Sequence, residues 1–188
     1  FPTRRSSDLL PRFETFDFKI SEDSSVFEDD LGHPETGFES GTKVMNFEQA
    51  WARGFTGTSQ MVAMADTGLD QGSLANLHPD LKTVIGGEPV GIYGKDWGDP
   101  QGHGTHVTGS VVGQGTLSKG LIRGGAYNAT FYAQGMWSPM FNNISVPTDL
   151  KKMFGSSYAK GARVHTNSWG TVQNLGSYDN FSASVDEF

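Results

Sequence analysis

The chain contains no cysteine, and only 14 of its 188 residues are lysine or arginine. The lack of cysteine excludes a disulfide scaffold, a thiol nucleophile and a cysteine-based zinc site. It leaves the compartment open, because secreted proteins need not carry disulfides. The 21 acidic residues give a net charge of −7, which argues against nucleic acid as a partner. No apolar run approaches the roughly 20 residues of a membrane span, so no membrane partner is expected.

The two ends of the sequence differ from its middle. Residues 1–10 resemble a translated sequencing adapter, no signal peptide is recognisable, and the first methionine is Met45. Residues 11–40 form an acidic segment, which is either a linker or the remnant of a pro-segment. Residues 41–188 have the composition of one globular domain and stop within a helical pattern. We therefore interpret the chain as a fragment that is truncated at both ends.

Short apolar runs alternate with helical patterns in the globular part. The runs that predict strands are Gln60–Ala65, Thr130–Gln134 and Ala162–Thr166. The patterns that predict helices are Val44–Arg53, Gly102–Gly113, Thr148–Lys160 and the face shared by Phe181, Val185 and Phe188. Because strand, helix and strand in succession make a βαβ unit, the pattern predicts an α/β fold with helices on both faces of the sheet. In such sheets the working residues lie beyond the carboxyl ends of the strands.

Asp66 stands where the first predicted strand ends and is followed by Thr67 and Gly68. A carboxylate in this position can accept a hydrogen bond from an imidazole and fix its tautomer. Two other interpretations remain open. Asp66 can close a turn onto nearby backbone N–H groups. It can also be half of an aspartic-protease dyad, in which two carboxylates share a proton, although the chain has no second Asp-Thr-Gly or Asp-Ser-Gly.

His103 lies at the start of a helix rich in small residues, within Gly-His-Gly-Thr-His-Val. The positive end of the helix dipole disfavours the imidazolium and keeps the ring available as a base. His106 is three residues further on, but the metal pair of zinc proteases needs i, i+4 spacing with an intervening glutamate. We therefore expect no metal here and expect His106 to be buried in the helix packing. His33, His78 and His165 are interpreted as structural histidines.

The segments Val62–Asp70 and Gly102–Gly113 together resemble the subtilisin-like serine protease family, peptidase S8. The sequence His-Thr-Asn-Ser-Trp-Gly, which ends at Gly170, resembles a bacterial alkaline-protease branch of that family. The resemblance implies a subtilisin-like doubly wound, mostly parallel sheet, of which residues 41–188 would be the N-terminal part. The sheet would therefore be incomplete on its C-terminal side.

The resemblance also implies the roles of individual residues. Asp66 would orient His103, and His103 would act as general base and acid. Ser168, Trp169 and Gly170 would line the specificity pocket and pair with the substrate backbone as an added strand. Thr171 follows where the family more often has a second glycine, which makes the shape of that pocket a point to examine.

The nucleophile of this family lies in a Gly-Thr-Ser-Met-Ala motif, which the chain does not contain. We expect it beyond Phe188, together with the oxyanion-hole asparagine. Gly57–Met61 imitates the motif, but Ser59 comes before the strand that ends at Asp66 and would lie at the other end of the sheet. Asn167 belongs to the substrate segment and is not the expected oxyanion donor.

The resemblance therefore predicts a serine-type endopeptidase that acts on proteins or peptides, is secreted and monomeric, and needs no catalytic cofactor. The fragment alone is expected to be inactive. The rival interpretations are a catalytically inactive peptide-binding module and, last, an aspartic protease built on Asp66. Members of the family often bind structural calcium, for which Asp70, Asp96 and Asp99 are candidate ligands unless they are solvated loop acids.

Overall fold

The computed structural model describes residues 40–171 and 176–188, together with the backbone of residues 13–15. These ranges contain eight strands: β1 (Phe13–Thr15), β2 (Met61–Asp66), β3 (Val84–Pro89), β4 (Thr130–Gly135), β5 (Trp137–Ser138), β6 (Asn143–Ile144), β7 (Val164–Thr166) and β8 (Trp169–Thr171). They also contain five α-helices: α1 (Gly41–Val44), α2 (Glu48–Ala52), α3 (His103–Val112), α4 (Leu150–Ala159) and α5 (Asn180–Asp186). Our interpretation of residues 1–10 as an adapter, and His33, lie outside the described residues.

Four strands form a parallel sheet in the order β3-β4-β2-β7. The central strand β2 pairs with β4 along all six of its residues and with β7 from Val62 to Met64. Because the four strands run in the same direction, their carboxyl ends meet at one end of the sheet. Asp66 and the chain that follows Thr166 therefore leave the sheet at the same end.

The two faces of β2 pack against different helices. Met64 belongs to a buried cluster that includes Val112 of α3, whereas Ala65 belongs to a cluster that includes Met153 of α4. Since successive strand residues point to opposite faces, α3 and α4 cover opposite sides of the sheet. This arrangement confirms the predicted α/β fold with helices on both faces. The further strands expected beyond Phe188 stay a prediction.

Small residues allow α3 to lie very close to the end of β2. A Cβ atom added to Gly104 would lie only 2.2 Å from the carbonyl oxygen of Gly68. One turn later the buried Thr108 turns its hydroxyl inward and donates to the carbonyl of Gly104, 2.8 Å away. The tight packing expected from the small residues of this helix is therefore present, and it fixes the height of α3 above the sheet.

The N-terminal helical pattern folds differently from our prediction. Val44–Arg53 is not one helix, because α1 ends at Val44 and α2 begins at Glu48. Between them Asn46 has a φ of 60°, a left-handed conformation that interrupts a right-handed helix. In contrast, the three predicted strands, which are β2, β4 and β7, and the helices α3, α4 and α5 are found within a few residues of their expected bounds. The sheet strand β3 was not predicted.

Two short antiparallel pairs complete the described structure, one of β5 with β6 and one of β1 with β8. The strand β1 lies in the acidic segment, where the sequence showed no periodicity. In the part of the chain that the structure describes, no helix has the length and apolar character needed to cross a membrane.

Candidate active site

Asp66 is the last residue of β2 and is fully buried. Its Oδ1 atom accepts a hydrogen bond from the backbone N–H of Thr67 at 2.7 Å. Its Oδ2 atom accepts none from any described residue. Burial disfavours the charged form and raises the pKa of this carboxyl, while hydrogen bonds from His103 and Thr67 oppose the rise. The carboxylate is therefore rigid, poorly solvated and only partly satisfied.

His103 is the first residue of α3 and faces this carboxylate. The preceding residue, Gly102, caps the helix with a left-handed φ of 94°, and the backbone N–H of His103 donates to the side chain of Gln101 at 2.8 Å. The ring then reaches back toward the sheet, where Nδ1 lies 2.7 Å from Oδ1 of Asp66. The structure thus joins two residues that are 37 positions apart in the sequence.

The contact between these two residues fixes the state of the imidazole. An ionised carboxylate only accepts hydrogen bonds, so Nδ1 of His103 must carry a proton. In the neutral ring the lone pair then resides on Nε2, the nitrogen that faces away from Asp66. If Nε2 takes up a proton, the nearby carboxylate stabilises the resulting imidazolium. The pair can therefore act as an oriented general base, which is the first of the roles considered for Asp66.

The expected substrate segment lies beside this pair. β7 is parallel to β2, and the chain turns after Thr166 into Ser168 and then β8. The indole N–H of Trp169 donates to the carbonyl of Ala65, the residue before Asp66, at 2.8 Å. The Trp169 ring also packs against the buried cluster that includes Met136 and Leu150. Ser168, Trp169 and Gly170 are thus held next to the carboxyl end of β2.

The remaining histidines have separate surroundings. His106 is exposed, so the expectation that helix packing buries it is wrong: Gly104 and Thr108 face the sheet, and a residue midway between them on a helix points away. His78 accepts from the backbone of the next 3₁₀ turn. His165 contacts the side chain of Gln134 at 2.9 Å through Nε2, and burial lowers its pKa to about 4.

The three acidic residues considered as calcium ligands line one cavity, but their carboxylates are engaged in separate hydrogen bonds. Each directs an oxygen to its own local N–H partner: Asp70 to His78, Asp96 to Gly98, and Asp99 to several groups. Among the described residues there is no group of three or more histidine, aspartate or glutamate side chains placed to hold a metal ion. A structural calcium site, which can also use carbonyl oxygens, stays a prediction. Asp99 is not a solvated loop acid, because it is only partly exposed and strongly hydrogen-bonded.

Sequence reasoning missed the two threonines that follow the catalytic candidates. Thr67 comes directly after Asp66, and Thr105 comes two residues after His103. Both hydroxyls donate to Asp99, at 2.7 and 2.6 Å. The available signal was a hydroxyl residue within two positions of each candidate. Ser59, by contrast, is exposed in the turn before β2, at the end of the strand remote from Asp66.

Comparisons with known proteins show the family to which this α/β fold belongs. Residues 57–188 match the model of the subtilase family, Peptidase_S8, and the chain belongs to this family of serine peptidases. This confirms the resemblance found in the sequence motifs.

The relatives extend well beyond this chain. The chain is 33% identical over 153 residues to the serine protease/ABC transporter B family protein tagD of Dictyostelium discoideum, a match that covers 70% of this chain and 8% of tagD. It is 38% identical over 97 residues to the major intracellular serine protease of Bacillus subtilis, covering 48% of this chain and 28% of that protein. It is 36% identical over 102 residues to the minor extracellular protease Vpr of the same bacterium, covering 48% and 11%.

Proposed function

We propose that a longer protein containing this chain is a serine endopeptidase that hydrolyses peptide bonds in proteins. The observation that carries the proposal is the 2.7 Å contact between Nδ1 of His103 and Oδ1 of Asp66. In the proposed reaction a serine hydroxyl attacks the scissile carbonyl, and Nε2 of His103 takes its proton and gives it to the leaving amine. Asp66 holds the ring and stabilises the imidazolium. Water, which gives a proton to Nε2 of His103, then attacks the acyl-enzyme; the ester bond breaks, the serine regains its proton and the acid product leaves, and no cofactor takes part.

The proposed nucleophile is a serine that follows Phe188 in the longer protein. Serines near the amino end of β2, such as Ser59, are separated from Asp66 by the length of a six-residue strand, about 20 Å at roughly 3.3 Å per residue. We therefore propose that the 188-residue chain does not hydrolyse proteins by itself. It holds the base and the residue that orients the base, and the attacking group would come from elsewhere in the sequence.

The proposed substrate strand lies against β8. An extended peptide bound there would exchange main-chain hydrogen bonds with Trp169 and its neighbours, and side-chain pockets would add specificity. The antiparallel pairing of Phe13–Thr15 with Trp169–Thr171 supports this proposal, because it shows that β8 accepts a strand. It also favours the pro-segment over the linker for residues 11–40, since such a segment would occupy the place of the substrate until it is removed.

The strand pairing at β8 also fits one alternative function, peptide binding without cleavage. A catalytically inactive relative would bind peptides at Ser168–Gly170 without cleaving them. The aspartic-protease alternative has less support, because Oδ1 of Asp66 is hydrogen-bonded to His103 and the chain offers no second Asp-Thr-Gly. That alternative predicts an acid optimum and little effect of His103→Ala.

We further propose that the longer protein is secreted and monomeric and that its partners are protein or peptide substrates. Support for secretion comes from the similarity to a protein named as extracellular, but another similar protein is named as intracellular. Fractionation of the source cells, followed by detection of the protein in the medium, tests the location directly.

The decisive experiment is to sequence the source DNA past Phe188 and to express both the present chain and the longer reading frame. We expect a Gly-Thr-Ser-Met-Ala segment, hydrolysis of casein by the longer protein, and inhibition by a fluorophosphonate. His103→Ala in the longer protein should abolish turnover. The exposed His106→Ala, in the same helix, is the matched control and should leave turnover unchanged.

Two results would contradict these proposals. Fluorophosphonate-sensitive hydrolysis by the 188-residue chain would show that it already contains a nucleophile. A longer protein that binds peptides, lacks the motif and does not hydrolyse them would establish the binding module instead.

A further inference from the structure

Asp99 accepts hydrogen bonds on both of its carboxylate oxygens. It lies in the loop between β3 and α3 and is only partly exposed. Its Oδ1 atom accepts from the Thr67 hydroxyl at 2.7 Å and from the backbone N–H of Gly102 and Gln101 at 2.9 and 3.2 Å. Its Oδ2 atom accepts from the backbone N–H and the hydroxyl of Thr105 at 2.8 and 2.6 Å. One carboxylate thus accepts hydrogen bonds both from the residue that follows β2 and from the start of α3.

Thr67 connects Asp99 to the backbone next to both members of the catalytic pair. Thr67 follows Asp66, and its backbone N–H donates to the Asp66 carboxylate. The Thr67 hydroxyl donates to Asp99 and accepts from the backbone N–H of Gly104 at 2.8 Å. Gly104 in turn follows His103. The hydroxyl of Thr67 is therefore shared between the end of β2 and the first turn of α3.

The first turn of α3 is held on both sides of His103. Gly102, before the histidine, and Thr105, two residues after it, both donate backbone N–H groups to Asp99. These N–H groups belong to the first turn of the helix, where no intrahelical partner exists for them, so a carboxylate stabilises them well. The geometry leaves His103 little freedom to move relative to Asp66, because its flanking backbone is attached to the same carboxylate as Thr67.

We propose that Asp99 is a positioning residue: through Thr67 and the first turn of α3 it holds His103 within hydrogen-bond distance of Asp66. The catalytic purpose of this positioning rests on the proposed function, but the test below does not depend on that function. Asp99 touches neither ring nor carboxylate of the pair in any hydrogen bond described above. Its predicted effect is on the length and persistence of the Asp66–His103 hydrogen bond, which can be measured without any nucleophile.

The test uses the 188-residue chain and the low-field proton NMR resonance of the His103 Nδ1–H, which reports a short hydrogen bond to Asp66. Asp99→Asn should abolish this resonance, because the amide nitrogen cannot accept from the donors that the carboxylate oxygen serves. Thr67→Val keeps every charge and nearly the same shape, and it should abolish the resonance as well. Thr67→Ser, which restores the hydroxyl, should recover it.

Asp96→Asn is the matched control, since it removes the same charge from the same loop. The Asp96 side chain is exposed and accepts from Gly98 in its own turn. The control should retain the resonance. The proposal is overturned if folded Asp99→Asn or Thr67→Val keeps the resonance and only melts at a lower temperature, or if Asp96→Asn loses it. If Asp99→Asn does not fold, the Thr67 variants decide.

The outcome is separable from that of the proposed function. A lost resonance in Asp99→Asn supports positioning even if the longer protein proves to be a binding module. A retained resonance rejects positioning even if the longer protein hydrolyses casein.

Discussion

Two carboxylates flank the first turn of α3, and their surroundings differ. Asp66 is completely buried, has one oxygen that accepts no hydrogen bond from the described residues, and burial raises its pKa. Asp99 is partly exposed. Burial would raise its pKa too, but hydrogen bonds led by those from Thr105 and Thr67 outweigh that effect and lower it. One acid therefore keeps capacity for a reaction, while the other uses its oxygens to hold backbone and hydroxyl groups in place.

The largest difference between the two carboxylates should appear in catalysis. In the longer protein, Asp66→Asn should lower kcat by a factor of order 10⁴, because an amide can donate to Nδ1 of His103 and favour the wrong tautomer. The measurement is kcat on a peptide substrate, with Asp96→Asn as the control for lost charge. A decrease of less than about tenfold would remove Asp66 from the orienting role.

When stability is measured, the larger loss should come from changing Asp99 and not from changing Asp66. Asp99→Ala leaves two threonine hydroxyls and three backbone N–H groups without their acceptor, and should lower the free energy of unfolding by about 3 kcal/mol. Asp96→Ala removes one exposed turn contact and should cost less than about 1 kcal/mol. Urea unfolding measures the loss in each variant. Equal losses in Asp99→Ala and Asp96→Ala would contradict the structural role of Asp99.

The stabilisation that Asp99 provides should depend on pH. The pKa of Asp99 is lowered by folding, so its stabilisation is present above its unfolded pKa of about 3.9 and is lost as pH falls through the lower folded value. The gap in unfolding free energy between the unmodified chain and Asp99→Ala should therefore narrow in acid. A gap that is constant down to strongly acidic pH would mean that the ionised form of Asp99 is not what stabilises the fold.

The two carboxylates depend on the close approach of α3 to the end of β2. Gly104→Ala would place a methyl group against the Gly68 carbonyl and should lower stability by about 2–3 kcal/mol. Gly109→Ala lies in the same helix with nothing within 4 Å of its added Cβ, and should raise stability by up to about 1 kcal/mol. Thermal unfolding followed by circular dichroism distinguishes them, and similar changes in the two variants would argue against the tight approach.

The smallest expected effect is a gain in stability at Asp66. Because folding raises the pKa of this acid, its contribution to stability is greatest below the unfolded pKa of about 3.9 and is lost as pH rises through the folded value. Asp66→Asn does not ionise, and at about pH 8 it should be more stable by roughly 1 kcal/mol, as is common when a poorly solvated functional group is removed. A loss of stability at that pH would show that the ionised pair stabilises the fold.

Local pattern was sufficient for the elements that hold the site. The run Gln60–Ala65 followed by Asp66 predicts a buried strand with an acid at its end, and the small residues after Gly102 predict a closely packed helix. The α/β class follows from those segments and their order, because apolar runs and helix start signals depend on neighbours in the sequence. The subtilase family rested on the resemblance of two motifs and was confirmed by the family model.

The sequence did not predict several contacts and exposures that depend on residues far apart in the chain. It did not predict that β1 would pair with β8, that His106 would face solvent, or that Asn46 would divide the first helical segment. It also placed Asp99 among loop acids, because the composition of a loop does not say which donors will surround it.

The sequence by itself determined the kinds of chemical group available: an acid at a strand end, a histidine at a helix start and no cysteine. Only the tertiary structure decided the distances between them. Asp66 and His103 are 37 residues apart, and Thr67 and Asp99 are 32 apart, yet each pair is joined by a 2.7 Å hydrogen bond. The physical reason is that the state of a buried carboxylate is set by its desolvation and its donors, and the folded chain brings both from distant segments.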